Sequence, residues 1–474
     1  MSAGHDSTSD APLMATVSGC RGVVGASMTP ATVCRYVGAF CAWLRDGGRS
    51  ADEPIVVGCD GRLGGDALHD AAVAQVRASG FCAVDLGVAA TPTVGVAALE
   101  HAAAGGLVIT ASHNPASWNG LKPVTSLGRA PSPDEARGLL EFFTQGRTIH
   151  APAEGVGGRA SDGAANHAHV ARVLEALETV GGVEPIRRRR FRIAVDSVNA
   201  AGAAGARLLA DALGCELTHL GAEETGVFPH PPEPTREHLA GAGGLCDAVR
   251  REGLDAGFAQ DPDADRLAII DERGVYIGEE QTLVIAVETL LGAGAGGGAV
   301  AANLSTSRMI DDAAARHGAR VVRSPVGEAH VVAAMDERRC AIGGEGNGGV
   351  IWPAVVPIRD SLGAMALTLA LMARRAASIS EIVSSWPAYE IVKAKAPAPR
   401  DGPDAALDAV RREWADADLD TRDGVRVDLP AQRAWVHVRA SNTEPILRLI
   451  AEAPNRAAAE ALIDTARRAV LGER

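Results

Sequence analysis

The chain of 474 residues sets 46 Lys and Arg against 59 Asp and Glu, a formal charge of −13. That excludes a nucleic-acid backbone as the main partner, because such binders gain affinity by releasing counterions from a basic surface. Apolar residues at 47% and charged residues at 22% suffice for buried cores and exclude a disordered chain, and at roughly 100 to 200 residues per domain the length implies three or four domains.

The first fifteen residues, MSAGHDSTSDAPLMA, lack the basic region and apolar core of a signal peptide and read as a loose start. Short apolar runs then alternate with helical patterns: IVVGC at 55–59, a helix-like stretch over 66–78, FCAVDL at 81–86 and LVIT at 107–110. Such alternation predicts a parallel sheet with helices on its faces. The Gly- and Ala-rich segment 151–165 reads as a linker. The pattern restarts with FRIAVD at 191–196 and returns with AGFAQ at 256–260, LAIID at 267–271 and AVAANL at 299–304, so three related α/β units are expected. Beyond residue 375, RVDL, RAWVHVRA and ILRLIAEA read as strands and 456–470 as a helix, a smaller α+β domain. The expected division is 1–150, 151–255, 256–375 and 376–474.

The longest apolar stretch, 362–372, has the length of a buried helix and is too short to cross a membrane. Cysteines at 20, 34, 41, 59, 82, 215, 246 and 340 form no C-x-x-C pair; they read as reduced thiols of a soluble cytoplasmic protein, with no zinc site. The glycine run at 292–298 follows a helix and precedes a strand, the reverse of a dinucleotide fingerprint, and reads as a loop. The arginines at 187–190 read as solvated surface.

Four loops carry chemistry. In TASHNPASWNGLKP (110–123) a strand ends in a turn presenting Ser112, with His113 beside it and Lys122 ten residues on. A serine hydroxyl exchanges phosphoryl groups only where cations neutralise the charge around it; the plainer alternative is a helix N-cap, with Pro115 in the first turn. In DPDADR (261–266), Asp261, Asp263 and Asp265 converge on one hard cation such as Mg²⁺. An EF-hand fails there, because Arg266 stands where the sharp turn needs Gly; the plainer alternative is a solvated acidic turn. In GGEGNGG (343–349), glycines let the backbone approach a ligand while Glu345 and Asn347 offer groups for vicinal sugar hydroxyls. In RASNTEP (439–445), Arg439, Ser441, Asn442 and Thr443 make a phosphate nest, or else a polar hairpin.

These four loops in this order resemble the α-D-phosphohexomutase superfamily, over essentially the whole chain from SGCRG at 18–22 to ILRL at 446–449. The resemblance implies four domains around a deep cleft: three related α/β domains with mixed sheets and a C-terminal α+β domain. It implies that Ser112 carries the phosphoryl group and, with Asp261, Asp263 and Asp265, holds one Mg²⁺. Arg21, His113, Lys122 and Arg266 would surround the transferring phosphoryl. Glu345 and Asn347 would grip the sugar, and Arg439, Ser441, Asn442 and Thr443 its second phosphate. The substrate would be a small sugar phosphate, and glucose or glucosamine 1,6-bisphosphate the activator. The loops GGEGNGG and SPVGEAHVV (324–332) look most like the archaeal-type phosphoglucosamine mutase branch; phosphomannomutase or phosphoglucomutase is the alternative. More distant readings are a metal-dependent phosphatase with an Asp nucleophile and a silent sugar-phosphate sensor.

Overall fold

The computed structural model describes residues 12–399, 402–441 and 446–472. Its first sheet has seven strands, in the order Met14–Thr16, Gly19–Val23, Trp118–Thr125, Gly105–Ile109, Ile55–Cys59, Ala83–Val88 and Arg159–Ser161. The last four run parallel and the first three antiparallel. Successive side chains of a strand point to opposite faces, and here both faces are buried. Ile55, Val57, Leu107 and Ile109 pack under the helices Pro30–Asp46, Gly65–Ala78 and Pro133–Thr144. Val56 and Val108 join a larger core that continues through Thr91–Glu100 into the next two units.

The second sheet is ordered Leu267–Ile270, Ala256–Gln260, Arg192–Asp196, Glu216–Leu220; the third is ordered Arg320–Ser324, Ala299–Asn303, Gly343–Glu345, Gly349–Ile351. Both are mixed. The strands at 256–270 therefore pair within the second sheet, beyond the boundary expected at 255, because the run that reads as a fresh unit is an antiparallel hairpin returning onto Arg192–Asp196. The stretch expected to be a linker also contains structure: Arg159–Ser161 pairs with Ala83–Val88 at the edge of the first sheet. All three of its residues are exposed, so backbone pairing alone forms the strand and no apolar alternation announces it.

Helix Ser361–Arg375 is buried from Ser361 to Met372 and packs into the core shared by the first three units. Asp360 caps it, accepting from the amides of Leu362 and Gly363. No helix among the described residues is long and apolar enough to cross a membrane. The C-terminal unit is a five-stranded antiparallel sheet, Glu390–Pro397, Ile446–Ala453, Ala434–Ala440, Val425–Leu429, Asp418–Asp420, with Asp404–Glu413 and Arg456–Leu471 over its own core. Three α/β units followed by a smaller α+β unit is the architecture expected from the pattern.

In each of the first three sheets one parallel strand runs into a turn and returns as an antiparallel partner: Gly105–Ile109 to Trp118–Thr125, Ala256–Gln260 to Leu267–Ile270, and Gly343–Glu345 to Gly349–Ile351. The turns hold Ser112, the three aspartates and Asn347, at the carboxyl ends of parallel strands, where open α/β sheets form their crevices.

Candidate active site

No helix starts at Ser112. It stands in a turn in the left-handed backbone region (φ 50°), a strained conformation for a residue with a side chain. The turn is held from beneath. The Ser112 amide donates to Thr110 Oγ1 at 2.8 Å, and the Thr110 hydroxyl donates to Asp60. The buried guanidinium of Arg62 donates to Asp60 Oδ2 at 2.8 Å, to the Trp118 carbonyl at 2.8 Å and to the Ser112 carbonyl. A single cation thus ties both ends of the loop, consuming carbonyls that would otherwise be buried without donors.

Ser112 Oγ donates to Asp261 Oδ2 at 2.7 Å and lies 3.3 Å from His113 Nδ1. Asp261, Asp263 and Asp265 are wholly buried, with one oxygen of each within 4.8 Å of the others. Their outer oxygens are already engaged. Lys122 Nζ bridges Asp263 Oδ2 at 2.8 Å and Asp265 Oδ2 at 2.6 Å. Thr91 adds a 2.6 Å bond to Asp263 Oδ2, and Arg359 a 2.7 Å bond to Asp265 Oδ2. Oδ1 of Asp263 and Oδ1 of Asp265 are buried with no hydrogen-bond partner in the protein. Two buried anionic oxygens without donors are costly, and an oxygen-only set suits a hard cation, so these residues fit Mg²⁺.

The charges follow from this geometry. Burial, with Asp263 and Asp265 alongside, pushes the Asp261 carboxyl well above the usual range. Burial also opposes ionisation of Asp263, but Lys122 and Thr91 more than offset it and hold that group low. Burial opposes charge on Lys122 as well; Asp263 and Asp265 outweigh it and raise its pKa. Burial, then Arg266 and Arg21, lowers His113 to about 3, which keeps the imidazole neutral.

His113 and Lys122 line a cavity of about 260 Å³ between the first and third units, together with Arg21, Arg266, Glu345 and Asn347 among others; Ser112 and the three aspartates lie behind these residues and are not part of its lining. Arg21 is aimed by a 2.9 Å bond to Asn114 Oδ1. Glu345 accepts from Asn303 Nδ2 at 2.8 Å and the Gly327 amide at 3.1 Å, and Arg359 donates to its other oxygen at 2.9 Å. Asn347 Oδ1 accepts from the Gly349 amide at 3.2 Å. Between them, a Cβ on Gly346 would stand 2.1 Å from both carboxylate oxygens of Glu280, so a larger residue there would have to displace that side chain.

Arg439 does not line the cavity; its Nε donates to Asp423 Oδ2 at 3.0 Å. The Ser441 amide closes the hairpin onto the Ile446 carbonyl, while Asn442 and Thr443 lie outside the described residues. Sequence reading passed over Asp60, Arg62, Thr91, Glu328 and Arg359. The only local signals were a charged DGR at 60–62 directly after a strand and an Arg-Asp pair before the helix at 361.

A mixed-sheet cleft that sets a buried serine against three aspartates and a sugar-sized polar cavity defines a class, the phosphate-transferring enzymes of hexose phosphates. The chain belongs to the phosphoglucomutase/phosphomannomutase family. Models of that family's alpha/beta/alpha domains I, II and III match residues 14–149, 168–274 and 278–389, and the model of its C-terminal domain matches 392–469. The protein is thus a hexose phosphate mutase. A phosphoglucomutase/phosphomannomutase of Thermococcus kodakarensis is 34% identical, with 92% of this chain and 93% of that protein aligned. A probable phosphoglucosamine mutase of Methanopyrus kandleri is also 34% identical, over 94% and 95%. Among solved structures, a family protein of Burkholderia thailandensis superposes with a TM-score of 0.80 at 26% identity, over 97% of this chain and 98% of that one.

Proposed function

We propose that the enzyme interconverts glucosamine 6-phosphate and glucosamine 1-phosphate through phosphorylated Ser112 and a 1,6-bisphosphate. The observation that carries the phosphoserine reading is the Ser112 hydroxyl bonded to Asp261 at 2.7 Å beside Oδ1 of Asp263 and Oδ1 of Asp265, neither of which accepts a hydrogen bond in the protein. Asp261, Asp263 and Asp265, with an oxygen of the phosphoserine, would hold Mg²⁺, whose charge screens the phosphoryl group.

In the forward step a free sugar hydroxyl attacks phosphorus in line. The bond from phosphorus to Ser112 Oγ breaks as the hydroxyl proton leaves, and the departing serine oxygen takes up a proton; the neutral imidazole of His113, its Nδ1 3.3 Å from Ser112 Oγ, would relay that proton. Arg21, Lys122 and Arg266 neutralise the equatorial oxygens, and Glu345 and Asn347 orient the ring. The bisphosphate then turns over, presenting its other phosphate to Ser112, while the Arg439 loop with Ser441, Asn442 and Thr443 grips the one just delivered. Arg439 would exchange Asp423 for that phosphate. Added glucose or glucosamine 1,6-bisphosphate rephosphorylates an idle enzyme and so activates it. The acidic net charge and free thiols support a cytoplasmic enzyme acting on small molecules.

The choice of glucosamine is supported by the loops at 324–332 and 343–349, which meet where the Gly327 amide donates to Glu345, and by the Methanopyrus relative. The Thermococcus relative supports mannose or glucose as the alternative. A coupled assay with glucosamine, mannose and glucose monophosphates side by side tests the choice: the highest kcat/KM is expected for glucosamine 6-phosphate, and a preference for another sugar refutes it.

A further inference from the structure

The carboxylate assigned to the metal and the carboxylate assigned to the sugar share one cation. Arg359 is buried, and its two terminal nitrogens go different ways: Nη2 donates to Asp265 Oδ2 at 2.7 Å and Nη1 to Glu345 Oε2 at 2.9 Å. Its backbone is fixed as well. The Arg359 amide donates to Glu328 Oε1 at 2.8 Å, its Nε lies 3.4 Å from Glu328 Oε2, and Asp360 next to it is locked as the cap of helix Ser361–Arg375. The sugar-loop hairpin is built around its stem, since a Cβ at Gly349 would come within 2.3 Å of Arg359 Cδ.

We propose that Arg359 is a positioning residue for both halves of the site, one planar fork that sets Asp265 for the cation and Glu345 for the sugar. The proposal rests on the assignment of those two carboxylates above. With Oδ2 of Asp265 taken by Lys122 and Arg359, the oxygen left without a donor is Oδ1. On Glu345, Asn303 and the Gly327 amide hold one oxygen and Arg359 the other, so the carboxylate plane is set by three donors from three segments. A planar guanidinium reaches two carboxylates at fixed angles; a lysine ammonium at the same place is a point charge that satisfies one at a time. The geometry of the fork, beyond its charge, is what joins the two sites.

The test is Arg359→Lys, which keeps the charge and removes the fork. Mn²⁺ binding to the dephosphorylated protein is followed by electron paramagnetic resonance, and glucosamine 6-phosphate binding by calorimetry. Because loss of a partner that orients a metal ligand commonly costs 10- to 100-fold in metal affinity, Mn²⁺ should bind about 10-fold or more weakly, with sugar-phosphate affinity falling in the same variant. Retention of both affinities overturns the proposal, and so does loss of only one. Should Arg359→Lys fail to fold, Glu328→Ala decides by the same two measurements, since it removes the acceptor of the Arg359 amide and the carboxylate beside its Nε without touching either fork contact: both affinities must fall together. Asp263→Asn run alongside separates the proposal from its foundation. If the wild type binds no Mn²⁺, or binds it as well after Asp263→Asn, the metal assignment fails and the proposal with it; if that control behaves as expected while Arg359→Lys keeps both affinities, the proposal alone fails.

Discussion

Replacing Lys122 with Met removes the cation that bridges two buried aspartates while preserving most of the apolar stem. At 2.8 and 2.6 Å, each ion pair has a gross Coulomb energy of about 6 kcal/mol at an effective dielectric of about 20. Desolvation cancels much of that, and loss of one partner of a buried pair typically costs about 3 to 5 kcal/mol, because the remaining charge stays buried. In the metal-free protein the variant should therefore melt at a lower temperature, with the loss concentrated in the first two units, which carry Lys122 on a strand and the aspartates in a hairpin turn. Mg²⁺ should rescue it more than it stabilises the wild type, since a bare anionic triad attracts a cation more strongly and ligand binding stabilises as RT ln(1 + [L]/Kd). Activity should collapse even at saturating Mg²⁺, because the transferring phosphoryl loses a cationic neighbour. Differential scanning calorimetry with and without Mg²⁺, paired with the mutase assay, measures all three effects. A metal-free variant as stable as the wild type, with no greater response to Mg²⁺, would refute the view that Lys122 compensates the triad.

Ser112→Ala should abolish turnover with the fold intact, and mass spectrometry of the wild type should find one added phosphate at Ser112; near-normal activity of the variant would end the phosphoserine mechanism. Arg439→Ala removes a charge-assisted contact worth roughly 1.5 to 3 kcal/mol, so KM should rise about 10- to 150-fold with kcat changed less, and turnover should become dependent on added 1,6-bisphosphate. A fall confined to kcat would assign this loop to the chemical step instead. Burial raises Glu280, packed against Gly346, to about 8. Its folded-state pKa lies above its unfolded value, so its contribution to stability is fully present below about pH 4.5 and is lost as pH rises through 8. Glu280→Gln should thus raise the melting temperature relative to wild type at pH 8, by up to roughly 4 kcal/mol of stability, with the advantage fading near pH 5; an advantage independent of pH would show that Glu280 stays ionised.

The order of strands and helices was legible because alternation and amphipathic spacing are local properties. IVVGC at 55–59 and AGFAQ at 256–260 are strands within the sheets, and the apolar stretch at 362–372 lies inside a buried helix. Sheet membership was less legible. The hairpin at 256–270 and the edge strand Arg159–Ser161 are placed by backbone hydrogen bonds to strands far away in the chain, and backbone groups leave no mark on side-chain pattern.

The same division runs through the site. The sequence by itself picked out groups that the fold brings together, because each set comes from a few adjacent residues of one turn: Ser112 with His113, the aspartates at 261, 263 and 265, and Glu345 with Asn347. Only the tertiary structure decided how those charges are made tolerable. Ser112 meets Asp261 across 149 residues, Thr91 reaches Asp263 across 172, and Arg359 reaches Asp265 across 94. A buried carboxylate must be matched by some cation or donor within about 3 Å, yet the physics is indifferent to where in the chain that partner originates, so no local spacing records it.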